Sequence, residues 1–184
     1  MTKIAIHGGV IAGKRSIVEH LKKNGILEIQ STKRTDCFEY LLDYYFARVR
    51  DSERSTDVEI RVNAGTVTDY QKLLEEILND VDGILFVFNI QKAAGPDLNG
   101  RSQWEKLKER LKSYKEKTGK NVSTVLCYNF YDFYEAGKEC FDPEEMNKEI
   151  NTTGLPHFAT SGKTGKNIKE AFFKLLDMMK EARA

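Results

Sequence analysis

The sequence contains few of the residues that mark disulfide-braced or disordered proteins. It has three cysteines and three prolines among 184 residues. Cys37, Cys127 and Cys140 are an odd number, and their spacings fit neither a zinc site nor a redox motif, so we expect reduced thiols. Apolar residues make up 40% and charged residues 31% of the chain, which is typical of a folded globular protein.

The chain also lacks a charge excess and a long apolar run. Lys and Arg number 29 against 28 acidic residues, so nothing in the net charge of +1 favours nucleic acid or an anionic membrane as a partner. An apolar run of about 18 residues, which a membrane-spanning helix needs, is missing. We recognise no secretory signal and no prenylation motif, so we expect a cytoplasmic protein without a direct membrane anchor.

Short apolar segments alternate with helical patterns along the chain. Four segments have strand character: residues 3–7, 58–62, 83–89 and 122–128. Between and after them, apolar residues recur at steps of three and four near residues 70–78, 104–114 and 168–179. Because parallel strands need long crossovers, this alternation predicts a single α/β domain over residues 1–184, with a doubly wound, mostly parallel sheet between two helical layers.

The segment FEYLLDYYFARVR, residues 38–50, gives conflicting signals. Its apolar residues recur at helical spacing, whereas its aromatic content suits a strand. Periodicity alone favours a helix.

The segment IAIHGGVIAGKRS, residues 4–16, matches the phosphate-loop pattern G-x-x-x-x-G-K at Gly8, Gly13 and Lys14. It follows a predicted strand and precedes a helical stretch, where backbone N–H groups and the helix dipole converge on an anion. We therefore predict a phosphate site, with a plain glycine turn as the alternative. The candidate binding residues are Gly8, Gly9, Gly13, Lys14, Arg15 and Ser16.

Arg15 occupies the position where the pattern calls for a Ser or Thr hydroxyl that holds Mg²⁺. A guanidinium repels a dication and cannot ligate it. Ser16 is a poor replacement, because one residue along a helix turns the side chain by about 100°. Two interpretations stay open: Arg15 pairs with a phosphate oxygen and replaces part of the metal charge, or it is a solvated side chain on the first helical turn.

Two later motifs, NFYD at residues 129–132 and TSGKTG at residues 160–165, resemble the N-K-x-D and S-A-K motifs of the Ras superfamily of small GTPases. The resemblance implies a Ras-like P-loop NTPase fold with six strands, and GTP or GDP as the ligand. By this resemblance Asp132 reads the guanine N1–H and 2-amino group, which adenine does not offer. Asn129 braces the loops, and Phe130 replaces the family's lysine. The backbone that approaches the base oxygen belongs to Ser161, Gly162 and Lys163.

Within that superfamily the chain looks most like the prokaryotic MglA-like GTPases of cell polarity and gliding motility. STKRTDCFEYL, residues 31–41, resembles their first switch region, which makes Thr35 the candidate switch, Mg²⁺-binding and catalytic threonine and makes residues 38–50 the second strand. VNAGTV, residues 62–67, falls at their second switch, where the Gly65 amide can contact a γ-phosphate. The resemblance implies a regulatory partner of the Roadblock type.

The departures from the family pattern fall at the positions that bind the metal ion and orient the attacking water. Val62 replaces the Asp that holds a metal-bound water, and Thr66 replaces the Gln that positions the attacking water. Together with Arg15, they predict a switch protein with weak or partner-dependent GTP hydrolysis, and with Phe130 added the four departures also support a second interpretation. The alternative is a pseudo-GTPase scaffold that acts through protein contacts. A small-molecule P-loop kinase explains the phosphate loop but not the two later motifs.

Overall fold

The computed structural model describes residues 1–36, 40–51, 54–63, 67 and 69–183. The strands formed by these residues are β1 Thr2–Gly8, β2 Leu27–Asp36, β3 Leu41–Asp51, β4 Arg54–Asn63, β5 Gly83–Asn89, β6 Ser123–Asn129 and β7 His157–Ala159. The helices are α1 Lys14–Lys23, α2 Tyr70–Leu78, α3 Gly95–Leu98, α4 Arg101–Thr118, α5 Tyr131–Glu135, α6 Pro143–Ile150 and α7 Ile168–Glu181. Of the described helices, none has both the length and the apolar character to cross a membrane.

The strands form one mixed sheet in the order β2-β3-β4-β1-β5-β6-β7. β1 pairs in parallel with β4 and β5, and β6 pairs in parallel with β5 and β7. β2, β3 and β4 are antiparallel neighbours. The predicted α/β fold class is therefore confirmed.

The predicted number of six strands is wrong, because the described residues contain seven. The additional strand is β2, at the edge of the sheet, which pairs with β3 from Leu27 to Asp36. It includes the first part of the predicted switch region, residues 31–36. Its polar residues carry no apolar alternation, since most of its side chains are exposed, and this hid the strand from a search for apolar periodicity.

Two cores lie on opposite faces of the sheet and give the three predicted layers. α1 and α7 cover one face, where Phe172 and Leu21 are buried with side chains of β1 and β4. α2, α4 and α6 cover the other face, where Trp104 packs on Phe86 with 5.0 Å between ring centroids. β5 lies between both layers, and all seven of its residues are buried.

Residues 41–50 of the ambiguous segment form strand β3. The strand implied by the family resemblance is therefore confirmed for these residues, and the helix favoured by periodicity alone is wrong. Leu42 and Tyr44 belong to the core under α2, whereas Ala47 and Val49 belong to the core under α1. Since both faces of the strand are covered, its apolar residues do not alternate with polar ones, and their spacing resembles that of a helix.

A buried arginine attaches α2 to the sheet. Arg61 on β4 donates to Glu59 at 2.7 Å and to the carbonyl oxygens of Glu76 at 2.7 Å and Asn79 at 2.8 Å. The guanidinium therefore caps the last turn of α2 by donating to carbonyl oxygens that have no partner within the helix. This contact fixes the helix that follows the predicted second switch.

Gly8 ends β1 at a point where the backbone leaves no room for a side chain. Its φ is +145°, and a Cβ there would lie 2.0 Å from the carbonyl oxygen of Val87, which already accepts from the Gly9 amide. We expect Gly8→Ala to lower the free energy of unfolding by about 3 kcal/mol, because the β1–β5 junction has to move. Urea unfolding of the protein without nucleotide measures this loss.

Gly137→Ala is the matched control. Gly137 also has a positive φ, +69°, but a Cβ there meets nothing within 4 Å. Its loss should be only the cost of the left-handed backbone, about 1 kcal/mol. Equal losses in the two variants contradict the proposed clash.

Candidate functional site

The loop between β1 and α1 presents the amino-terminal end of a helix to the carboxyl edge of the sheet. Gly13 precedes α1 with φ 80° and ψ 26°, a left-handed conformation, and no side chain caps the helix. The first amides of α1 therefore have no acceptor within the helix and point out of its end. Together with the dipole, this end is suited to bind a phosphate.

Lys14 carries a buried ammonium at this helix end. It is only 4% exposed, and its Nζ donates to the Gly9 carbonyl oxygen at 2.5 Å. Burial, and then the nearby Arg15 charge, lower the pKa of Lys14 to about 8. In the described part of the chain Lys14 forms no ion pair with an acid, so a bound anion would relieve the cost of burying this charge.

Arg15 pairs with an acid of the chain itself, a contact that neither interpretation of the sequence included, and its pairing with a phosphate stays a prediction. Its Nη2 lies 2.8 Å and its Nε 2.9 Å from Oδ2 of Asp43 on β3. Arg34 on β2 donates to the other carboxylate oxygen at 2.6 Å. Burial raises the pKa of Asp43, but the hydrogen bonds from Arg34 and Arg15 lower it by more, so the carboxylate stays ionised. Arg15 thus ties the phosphate loop to the antiparallel strands.

Asn129 joins the phosphate loop to the loop that follows β7. Its Nδ2 donates to the Ala12 carbonyl oxygen at 2.8 Å, and its Oδ1 accepts from the Gly162 amide at 2.9 Å. Thr160 Oγ1 lies 3.4 Å from the same Oδ1. The residue is 1% exposed, so both ends of its side-chain amide are satisfied inside the protein. The structure therefore shows the bracing that the motif implied.

Asp132 lies in the first turn of α5, beside the same loop. Its Oδ1 accepts from Ser161 Oγ at 2.7 Å, while the Ser161 hydroxyl also accepts from the Thr164 amide at 3.1 Å. Asp132 Oδ2 accepts no hydrogen bond from another described residue. One oxygen of the carboxylate is thus fixed in place, and the other is available for a ligand.

Phe130 lies where the family has a lysine. Its φ is 75°, and its ring is 3.6 Å from the position that a Cβ on Gly13 would occupy. It also makes an edge contact with Phe133 at 5.9 Å. An aromatic side chain therefore lies beside the phosphate loop, where the family has a charged one.

A groove of about 560 Å³ runs along α1 beside this loop. A Cβ on Gly162 would lie 2.8 Å from Cβ of Ser16, so the loop and the helix are in close contact. The groove includes Lys163 and is strongly basic on the side of α1. Its lining residues are Arg15, Ser16, Glu19, His20, Lys22, Lys23, Gly162 and Lys163.

Thr35 is the one predicted switch residue that lies within the described part of the chain, and it has its hydrogen-bond partner away from this loop. Thr35 lies in β2 opposite Leu42, and it hydrogen-bonds to Tyr44 in the core under α2. Arg15 comes from α1, which covers the other face of the sheet. Gly65 and Thr66 lie outside the described residues. Their roles at a γ-phosphate or metal stay predictions.

His7 is a residue of the site that the sequence did not reveal. It is fully buried at the end of β1, and its Nε2 lies 2.5 Å from the Tyr70 hydroxyl, which donates to the Gln103 carbonyl oxygen at 3.2 Å. Tyr70 therefore accepts from Nε2–H, and His7 Nδ1 has no partner among the described residues. Burial, and then the Lys14 charge, lower the pKa of His7 to about 3, so it stays neutral. A lone histidine in a strand carries no sequence signal for this contact.

The described residues around this loop contain no cluster of side chains that could ligate a metal ion. Within the described residues, His, Cys, Asp and Glu form no group of three or more that can hold a metal ion. Asp43 lies directly opposite Val62 in the sheet, but two guanidinium groups already hold its carboxylate. With Arg15 in place of a hydroxyl, these residues do not fit a Mg²⁺ ion ligated by protein side chains.

The buried charge of Lys14 predicts a pH dependence of stability. Between pH 8 and 10.5 the unfolded chain keeps the Lys14 proton that the folded protein has released. The free energy of unfolding of the native sequence should therefore rise with pH across this window, relative to Lys14→Met, by up to about 3 kcal/mol. Urea unfolding of both proteins from pH 7 to 10.5 measures the difference. A flat difference means that the ammonium is not desolvated.

A model of the Ras family matches residues 3–181 of the chain. A search of curated proteins found no match. The family match spans both the phosphate loop and the two later motifs, which the fold brings to one edge of the sheet. The chain therefore belongs to the Ras family and has the architecture of a small GTPase-like nucleotide-binding switch protein.

Proposed function

We propose that this protein is a guanine-nucleotide switch whose intrinsic GTP hydrolysis is slow or depends on a partner. The observation that carries the proposal is the side-chain amide of Asn129, which holds the phosphate loop and the 160–165 loop together. The amide links the loop before α1 to the loop whose Ser161 holds the Asp132 carboxylate, which supports a phosphate site and a base site close together. A nucleotide needs both a phosphate site and a base site, and here they share one support.

The base site supports guanine over adenine. Oδ1 of Asp132 accepts from the Ser161 hydroxyl, and Oδ2 accepts no hydrogen bond from the described residues, which leaves it as an acceptor for a base. Guanine offers two neighbouring N–H donors to a carboxylate, whereas adenine offers none at those positions. A polar site rejects a base that leaves its buried groups unpaired, so selectivity follows from this one carboxylate.

The phosphate site supports binding with little help from a metal. Members of the family bind GTP or GDP with Mg²⁺. In this chain Arg15 lies at the first turn of α1, and Asp43 keeps its guanidinium fixed beside the helix end. We infer that Arg15 supplies part of the positive charge that Mg²⁺ supplies elsewhere, and that binding of GTP or GDP needs the metal less.

The same features support slow hydrolysis. Val62 is buried and apolar at the position where the family carries an acid, directly opposite the occupied carboxylate of Asp43. Phosphoryl transfer depends almost entirely on positioning and on charge stabilisation. The fixed guanidinium of Arg15 supports nucleotide binding, whereas the site lacks the Asp and Gln side chains that orient water in the family. We therefore infer that nucleotide binds but is hydrolysed slowly.

A scaffold without nucleotide is the second candidate, and one observation favours it. The Lys14 ammonium donates to the Gly9 carbonyl oxygen and Arg15 pairs with Asp43, so each cation already has one partner within the chain. As a scaffold, the protein acts by binding other proteins, and it binds nucleotide weakly or not at all. Binding experiments separate the two candidates.

The sequence resemblance supports the finer parts of the proposal. We infer a prokaryotic, MglA-like switch in the cytoplasm, with a regulator of the Roadblock type that reads the segments around Thr35 and Gly65. Segments that respond to a γ-phosphate are the usual surface through which such switches signal.

The first test is a titration of nucleotide-free protein with fluorescent GDP, GTP and ATP analogues, each with Mg²⁺ and with EDTA. We expect guanine-selective binding that EDTA changes by less than about threefold, because Arg15 replaces metal charge. In Arg15→Ser, binding should weaken in EDTA by about tenfold or more relative to Mg²⁺. Absence of binding at millimolar nucleotide rules out the switch and leaves the scaffold.

The second test addresses base recognition. Asp132→Ala should reduce the ratio of GTP to ATP affinity by about tenfold or more, because the acceptor for the guanine N–H groups is lost. Glu135→Ala, on the same helix but paired with Lys166 at the surface, is the matched control and should leave the ratio unchanged. An unchanged ratio in Asp132→Ala contradicts the assigned base site.

A further inference from the structure

A second groove lies at the opposite edge of the sheet from the phosphate loop. It has a volume of about 540 Å³ and lies between the second half of α4, the start of β6 and the loop after α6. Since β1 and β6 run in the same direction, the start of β6 is remote from the end of β1, where the phosphate loop begins. We call this feature the lysine groove. Its apolar floor consists of Trp104, Leu111, Val122 and Leu155, and its rim carries Lys108, Lys112, Lys115 and Lys120.

The rim of the lysine groove has uncompensated positive charge. Lys108 pairs with Glu105 at 2.8 Å, and Lys120 pairs with Asp82 at 3.2 Å. Lys112 and Lys115 are exposed, and neither forms an ion pair with any residue in the described part of the chain. Two ammonium groups are thus free to bind anions from outside, although the net charge of the whole chain is only +1.

The lysines are arranged as a row rather than as a single cradle. Lys108, Lys112 and Lys115 follow steps of four and three along α4, so they lie on one side of the helix over about 10 Å. Leu111 lies on the same side and reaches the floor. A row of charges next to an apolar floor matches a ligand whose acidic groups are spaced along its length.

We propose that the lysine groove docks an acidic amphipathic helix of a partner protein. One apolar side chain of that helix packs on Leu111, Val122 and Leu155, and its carboxylates pair with Lys112 and Lys115. A helix presents side chains at the same three- and four-residue steps as α4, which allows several ion pairs in register. A single anionic headgroup can pair with only one end of the lysine row. Nucleic acid can pair with the lysines, but its phosphates cannot pack on the apolar floor.

Trp104 provides a direct readout of this site. It is the sole tryptophan of the chain, it is 1% exposed, and it lines the groove. Its ring packs on Phe86 at 5.0 Å and on Phe88 at 6.2 Å, which holds it in one orientation. A ligand that covers the floor changes the surroundings of this one indole, whose emission can be excited selectively over that of the tyrosines.

The test titrates the full chain with a capped 14-residue synthetic peptide that has Leu on one helical face, Glu on the flanks and no aromatic residue. We expect a saturable change of Trp104 fluorescence that weakens as salt is added, because exposed ion pairs are screened. Lys112→Glu combined with Lys115→Glu should raise the dissociation constant about tenfold or more. A peptide with Lys in place of each Glu should not bind.

The matched control combines Lys174→Glu and Lys180→Glu. These residues are exposed on α7, on the other face of the sheet, and the double variant changes the net charge by the same amount. It should bind the peptide within about twofold of the native sequence. Circular dichroism and the melting temperature of each variant confirm that it folds.

Two results overturn the proposal. One is the absence of binding at about 1 mM peptide, or binding that the reversal of Lys112 and Lys115 leaves unchanged. The other is lysine-dependent binding to vesicles of equal parts phosphatidylglycerol and phosphatidylcholine without binding to the peptide. That result assigns the groove to an anionic membrane surface instead.

Discussion

The assembled site depends on the two hydrogen bonds of one buried amide. Asn129 donates to the phosphate loop through Nδ2 and accepts from the 160–165 loop through Oδ1. A carboxamide is one of the few side chains that offers a donor and an acceptor at once, and a buried partner left unsatisfied costs about 1–3 kcal/mol. Loops that follow three different strands are therefore held in one arrangement, and both the phosphate end and the base end of the site depend on it.

The second constraint is an excess of positive charge at one helix end. The first turn of α1 carries the positive end of the helix dipole together with Lys14 and Arg15. Asp43 compensates Arg15, whereas Lys14 contacts only a carbonyl oxygen. Burial of the Lys14 ammonium lowers the free energy of unfolding, and a bound anion would offset part of this loss.

Much of the fold followed from the sequence because local patterns and tertiary environment agree. β5 is apolar throughout and is buried on both faces, and α2, α4 and α7 carry apolar stripes that face the sheet. Two strands in unusual environments have misleading apolar patterns, although the family resemblance predicted one of them, β3, correctly. β3 is covered on both sides and imitates a helical period, whereas β2 lies at the edge and has almost no apolar pattern. The spacing of apolar residues depends first on how many faces of a segment are buried. It indicates helix or strand only when one face is buried and the other is exposed.

At the site, the sequence by itself determined which residue types are present and their spacing. The two glycines and the lysine of the phosphate loop, together with Asn129 and Asp132, predict a nucleotide-type site because each acts through backbone geometry or through its own functional group. Only the tertiary structure decided the partners. Arg15 pairs with Asp43, which is 28 residues away, and His7 meets Tyr70, which is 63 residues away. The strength and direction of a charge or hydrogen bond depend on what lies within a few ångströms, and for these residues that neighbour comes from another element of the fold.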